Sequence, residues 1–173
     1  MQFSQLIMAR RSVRAYTAQP IEEGVVERLL NAVRCAPSAG NLQAYQVCLA
    51  RSSAVRAALA RAAGGQSFIE QAPLALVFCT NAGRAAARYG QRGATLYAVQ
   101  DATIACTYAM LAAVEEGLAC VWVGAFDEGA VRQAVGAPGE WTPIAILPIG
   151  YAAETPPVSP RRNLSDLVRE VGA

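Results

Sequence analysis

Apolar positions recur at helical spacing in two stretches near the start of the chain. Leu6 and Ile7 form the inward side of a short helix from Ser4 to Arg10, with Ser4 as its cap. Pro20 opens a second helix, in which Val26, Leu29, Leu30 and Val33 share a face and which ends near Cys35. Pro37, Ser38, Gly40 and Asn41 then supply turn chemistry. Tyr45 to Ala50 reads as a strand, Ala54 to Ala63 as a surface helix stopped by Gly64-Gly65, and Leu74 to Cys79 as a fully apolar strand. The longest helical stretch, Ala94 to Glu116, is apolar on nearly every face. Such a helix is buried all round, at the centre of the molecule or against another subunit. Leu118 to Val123 and Ile144 to Ile149 are further apolar strands, Glu128 to Val135 a short helix, and Leu164 to Val171 a terminal helix after Pro-rich coil. Four strands with continuous rather than alternating apolarity predict a layered α/β domain with helices on both sheet faces. Nothing divides 1–173 into more than one domain.

Composition narrows the picture. Hydrophobic residues make up 54% of the 173 and charged residues only 16%, against about 25% in an average globular chain. One small monomer cannot cover that apolar excess, so a homo-oligomer is expected. The most apolar uncharged run, Ala102 to Val114, is well short of the roughly 20 residues a bilayer span needs. The start of the chain has no signal-peptide pattern, and the expected location is the cytoplasm. Five widely spaced cysteines, Cys35, Cys48, Cys79, Cys106 and Cys120, form no C-x-x-C pair and read as reduced thiols. The net charge of +2, without a basic run longer than two, argues against nucleic acid as a partner. There is no histidine and no lysine. That removes histidine-based triads, histidine-ligated metals and Schiff-base chemistry, and points to a borrowed organic cofactor.

Three clusters offer binding chemistry. R-R-S-V-R, from Arg10 to Arg14, sets three guanidinium groups and a hydroxyl where they could fork onto a phosphate, or merely end a helix. A-P-S-A-G-N-L-Q, from Ala36 to Gln43, mixes donors and acceptors with little bulk and suits a polyol or an amide-edged ring, or is an ordinary loop. Gly124 after a buried strand, and Arg161-Arg162 near the end, make up the third.

Taken in order, these segments resemble the FMN-dependent nitroreductase family, in particular its short members. The matching stretches are R-R-S-V-R-A-Y, A-P-S-A-G-N-L-Q-A-Y-Q-V, F-I-E-Q-A-P-L-A-L-V-F-C, Q-D-A-T-I-A-C, G-L-A-C-V-W-V-G-A-F-D and L-P-I-G-Y-A-A-E-T-P-P-V-S-P-R-R-N-L. The resemblance implies an α+β, three-layer α/β/α homodimer with a central mixed sheet and two FMN sites at the interface. Arg10, Arg11 and Ser12 would hold the phosphate and ribityl chain, and Arg14 would lie near the pyrimidine edge. Pro37, Ser38, Ala39, Asn41 and Gln43 would reach the cofactor from the other subunit, and Gln66 would read the flavin edge. Gly124, with Ala125 beside it, would bring backbone to flavin N5, and Arg161 would be a second phosphate ligand supported by Arg162. The chain departs from the family pattern at Ser159 (often basic), Ala125 (often glycine), Ala39 (often serine) and Tyr45 (often tryptophan). The segment between Arg84 and Leu96, which roofs the pocket in longer members, is short.

The implied activity is NAD(P)H oxidoreduction by ping-pong turnover, with NADH or NADPH as reductant and a nitroaromatic, quinone or similar small molecule as acceptor. The flavin carries the chemistry and solvent the protons, so no side chain is strictly catalytic and no metal is required. The alternative is a flavin-binding or flavin-sequestering protein without turnover of its own.

Overall fold

The computed structural model describes residues 2–172. Its sheet follows from burial. β2 (Leu74–Asn81) is buried at every position from Leu74 except the last. Such a strand needs apolar cover on both faces and a strand on each side. β1 (Tyr45–Ala50) and β4 (Trp141–Gly150) flank it, β3 (Ala119–Cys120) extends the far edge, and the order is β1-β2-β4-β3. All three pairings are antiparallel. The mixed character expected of the sheet is confined, among the described residues, to one isolated parallel bridge, Ser12 to Cys120. β3 is shorter than the predicted Leu118–Val123 because only Ala119 and Cys120 meet β4 in register, with Val123 returning to Ile146 as a single bridge. A bulge in β4 lies opposite Phe78 and Cys79, at Ile144, just after Pro143, a residue with no N–H to give the ladder.

Two helical layers enclose the sheet, as expected of continuous apolarity. On one face α2 (Glu23–Arg34) and α6 (Ala98–Glu115) pack Leu29, Val33, Ala105, Cys106 and Ala109 against Leu76, Phe78 and Leu147. On the other, α3 (Ser53–Ala62), α4 (Phe68–Gln71) and α7 (Glu128–Val135) set Leu59, Ile69 and Val131 against Val77, Cys79 and Ile146. The second helix begins at Glu23 rather than Pro20, the residues between being extended coil. α1 (Phe3–Ala9) is preceded by Gln2, whose N–H donates to Gln5 Oε1, in place of a Ser4 cap. Leu6 is buried as predicted, but Ile7 is exposed, since a single seven-residue helix lying on α6 hides one side only.

The segment after β2 holds the main element missed in the sequence, α5 (Ala82–Arg92), which runs through a widened turn (Gly93–Tyr97) into α6. Its inward side is made of alanine with arginines opposite, so no large apolar residue marks it, and only Ala85 is buried. Gly93 is required where the chain folds back, because a Cβ there would stand 2.5 Å from the Ala85 carbonyl oxygen. α6 is buried through Ala98, Ala102, Ala105, Ala109 and Ala113, while Gln100, Thr103 and Thr107 lie exposed on the opposite side, flanked by exposed Val99 and Tyr108. The chain therefore covers one face of this apolar helix and leaves the other open. At the end α8 (Leu164–Leu167) is a single turn, with Val168 extended beyond it, in a tail from Pro157 that is exposed at nearly every position.

The cysteines differ more than their composition suggests. Cys106 and Cys120 are buried, which pushes both thiols up, Cys120 to about 12. Cys48, half-buried on edge strand β1, has its thiol pulled below the ordinary range by the neighbouring Cys79 thiol, which outweighs its burial. Iodoacetamide should label Cys48 readily at pH 8 and weakly at pH 6, with Cys106 and Cys120 unlabelled at both in the native protein, as read by peptide mass spectrometry.

Candidate functional site

Arg10 to Arg14 leave α1 as an extended segment laid against β3. Val13 N–H donates to the Cys120 carbonyl at 3.2 Å, and buried Tyr16 ties the segment down by donating to Val13 O at 2.7 Å, with Pro148 O 3.2 Å away. Burial raises the Tyr16 phenol far above its ordinary range, so it stays a neutral donor. This seating turns Arg10 and Ser12 into one cavity of about 480 Å³, shared with Trp122 and with Thr107, Met110 and Leu111 of α6. Arg11 turns back to the carbonyls of Met8 and Arg10. Arg14 is exposed, and its backbone N–H donates to Glu154.

The loop from Pro37 to Gln43 is fixed by one carboxylate. Asp101 of α6 is 2% exposed; its Oδ1 accepts the Ala39 N–H at 2.9 Å and its Oδ2 the Ala44 N–H at 3.3 Å. Inside that clamp Ser38 Oγ accepts the Gln43 N–H at 2.9 Å. The turn between requires left-handed backbone at Gly40, Asn41 and Gln43, with φ of 55°, 56° and 51°. Gln43 is neither glycine nor asparagine, and a side chain held in that region marks a loop whose shape is enforced from outside. α5 does part of the enforcing. Arg84 Nε donates to Leu42 O, Arg88 Nη1 donates to Gly40 O at 3.4 Å, and a Cβ on Gly40 would collide with Tyr89 and Arg88. Pro37, Ser38 and Ala39 line a cavity of about 620 Å³ with Tyr97, Gln100, Thr103 and Ile104.

These two cavities open along the same exposed side of α6, one at Thr103 and Ile104, the other a turn further at Thr107 and Leu111. Gln66 lies before α4, its amide donating to Ala63 O at 2.8 Å. Gly124 and Ala125 are exposed, just past the Val123 bridge and beside Trp122. Arg161 and Arg162 lie in the exposed tail and donate only to nearby carbonyls, of Ser159, Pro160 and Asp166. One chain thus joins Arg10 with Ser12, holds the Pro37–Gln43 loop on a second cavity, and leaves the tail arginines apart from both.

The nitroreductase family model matches residues 7–151. The chain belongs to the nitroreductase family. An NADH dehydrogenase of Thermus thermophilus is 30% identical to it, over 85% of each chain. A 5,6-dimethylbenzimidazole synthase of Rhodobacter capsulatus is 31% identical, over 88% of this chain and 86% of that one. The solved structure of an NADPH:FMN oxidoreductase of Vibrio harveyi, complexed with NAD+, superposes with a TM-score of 0.89 at 28% identity, covering 98% of this chain and 77% of that one. Within this nitroreductase-family fold, three residues escaped the sequence reading as site-formers: Asp101, Trp122 and Tyr97. Asp101 had a visible signal, being the one charge inside a helix otherwise apolar through Val114. Trp122 and Tyr97 had none, since both sit in apolar runs.

Asp101→Asn replaces one acceptor oxygen with a donor facing a buried N–H. It should cost about 2 kcal/mol, measured by denaturant unfolding. In hydrogen exchange the Ala39 and Ala44 amides should lose protection well before that of Phe78.

Proposed function

We propose that this chain is an FMN-dependent NAD(P)H oxidoreductase that acts as a homodimer. The donor set fits the cofactor. A guanidinium and a hydroxyl, from Arg10 and Ser12, share a cavity wall with the Trp122 indole, which matches a phosphate beside an aromatic ring. Arg11 completes the phosphate group of residues and Arg14 supplies a cation for the pyrimidine edge. Gln66 adds an amide, and Gly124 and Ala125 leave backbone bare next to Trp122. Pro37, Ser38 and Ala39 form the second wall, contributed by the partner subunit, Asn41 and Gln43 complete the loop behind it, and Arg161 and Arg162 of the exposed tail close the phosphate end. When bound, FMN supplies two-electron redox chemistry between a nicotinamide and an acceptor.

The chain's own residues provide position and electrostatics. Arg10 and Arg14 offset negative charge, and the Asp101 clamp keeps the Ser38–Gln43 wall in one shape before any ligand arrives, which lowers the ordering cost of binding. The apolar lining of the larger cavity, Tyr97, Val99 and Ile104, suits a flat ring and excludes water. Reductant and acceptor use that place in turn. Without histidine the protein offers no side-chain acid near neutral pH there, and solvent protonates the product.

The observation that carries this reading is the arrangement of both cavities on the open side of α6. Phe3 (67% exposed), Met8 (73%) and Tyr108 (37%) continue that side, and Leu164 and Val168 lie bare in the tail. A second copy laid on this face would cover it and bring the two cavity walls together.

Purified protein should show a flavin absorbance spectrum that bleaches with anaerobic NADH or NADPH, and should sediment at twice the chain mass. Arg10→Ala and Arg161→Ala should each weaken FMN binding about tenfold or more, the value of one charge-assisted hydrogen bond, with folding retained. Unchanged affinity in both variants would sink the phosphate assignment. Flavin that neither nucleotide bleaches would make the protein a flavin carrier instead.

A further inference from the structure

The charge of this chain is segregated. From Arg28 to Gln100 there are eight arginines and a single acid, Glu70. The described residues form two ion pairs, Arg28–Glu116 and Arg51–Glu23, and neither involves Arg34, Arg84 or Arg88. Those three converge on the loop that carries the proposed site. Arg34 and Arg84 line a cavity of about 270 Å³ together with the amides of Gln43 and Gln46, and Arg88 reaches the same loop at Gly40. No acidic residue lines that cavity.

The hold of Arg84 on Leu42 and of Arg88 on Gly40 steadies the loop but does not account for a further guanidinium, Arg34, on the same cavity. Arg84 lies in the first turn of α5, where a cation opposes the helix dipole, and it brings a second guanidinium toward Arg34. Arg88, one turn on, adds to the same field. Guanidinium groups without carboxylate partners, in a concavity that also offers amide donors, have the chemistry of an oxyanion site. Gln43 belongs to this cavity on one side of the loop, while Ser38 and Ala39 face the larger cavity on the other. A substrate with its reacting ring in the larger cavity and a phosphate on an extended arm could engage both.

We propose that Arg34, Arg84 and Arg88, with Gln43, form a phosphate-monoester subsite that selects phosphate-bearing substrates for the oxidoreductase. The source of that phosphate is the 2′-phosphate of NADPH or a phosphate on the acceptor. The inference rests on the oxidoreductase reading for its meaning, but the subsite itself is tested by binding alone.

Inorganic phosphate and 2′,5′-ADP are titrated by calorimetry into purified wild-type protein, Arg34→Gln/Arg84→Gln and Arg34→Lys/Arg84→Lys. Both probes should bind wild type, more weakly as salt rises, and the Gln variant roughly tenfold more weakly, a loss tempered by the solvent exposure of these arginines. The Lys variant should recover most of the affinity, which a merely structural role in holding the loop would not predict for a non-forked cation. Equal binding by wild type and the Gln variant, or no binding to wild type, overturns the proposal. In steady-state assays with a neutral quinone, a fall in the NADPH-to-NADH ratio of kcat/KM in the Gln variant assigns the phosphate to NADPH. An unchanged ratio with the binding loss assigns it to the acceptor. Absence of turnover with either nucleotide would defeat the oxidoreductase reading and leave the calorimetric result standing.

Discussion

Strand β2 has no face left for water, and the rest of the molecule is arranged around that constraint. From Leu74 to Thr80 every residue is buried, so each backbone N–H and C=O must be met by a neighbouring strand and each side chain by a helix. β1 and β4 satisfy the backbone. The side chains alternate between the α2–α6 layer, which takes Leu76 and Phe78, and the α3–α4–α7 layer, which takes Ala75, Val77 and Cys79. One fully apolar segment thereby dictates three layers.

α6 connects this core to the proposed chemistry. Its small residues, Ala102, Ala105, Ala109 and Ala113, let it lie close on the sheet, while its other side lines both candidate cavities. Asp101 stands at the boundary between the two roles. Buried among apolar residues, its carboxylate is satisfied by two backbone N–H groups, and those groups are the two ends of the site loop. The loop's left-handed turn at Gly40, Asn41 and Gln43 is therefore anchored to α6, the longest helix among the described residues.

Electrostatics adds a second level of organisation. The acids cluster early in α2 and from Asp101 onward, while the central segment is almost purely cationic. Where a structural partner exists, as for Arg28 with Glu116 or Arg51 with Glu23, the guanidinium is paired on the surface. Around the Ser38–Gln43 loop it is not, and the resulting positive field faces the place where a negatively charged dinucleotide would arrive.

The layered fold, the four apolar strands and most helix positions could be read from periodicity alone, because burial on both faces leaves an uninterrupted apolar signature that composition cannot hide. β1 and α7 fall where the pattern puts them, and the ordered motifs carried the family. The sequence likewise exposed the donors Arg10, Ser12, Ser38 and Gln43, since polar residues in loops stand out against this background. The reading by large apolar residues passed over α5, whose period is carried only by small alanines set against arginines. It was equally silent on the antiparallel pairing of every strand, because side-chain apolarity does not encode strand direction. The convergence of Arg34 with Arg84, fifty residues apart, and the clamp of Asp101 on Ala39 and Ala44 were decided only in three dimensions. Those contacts depend on how α2, α5 and α6 cross one loop, and a packing angle between helices leaves no periodic trace in the chain.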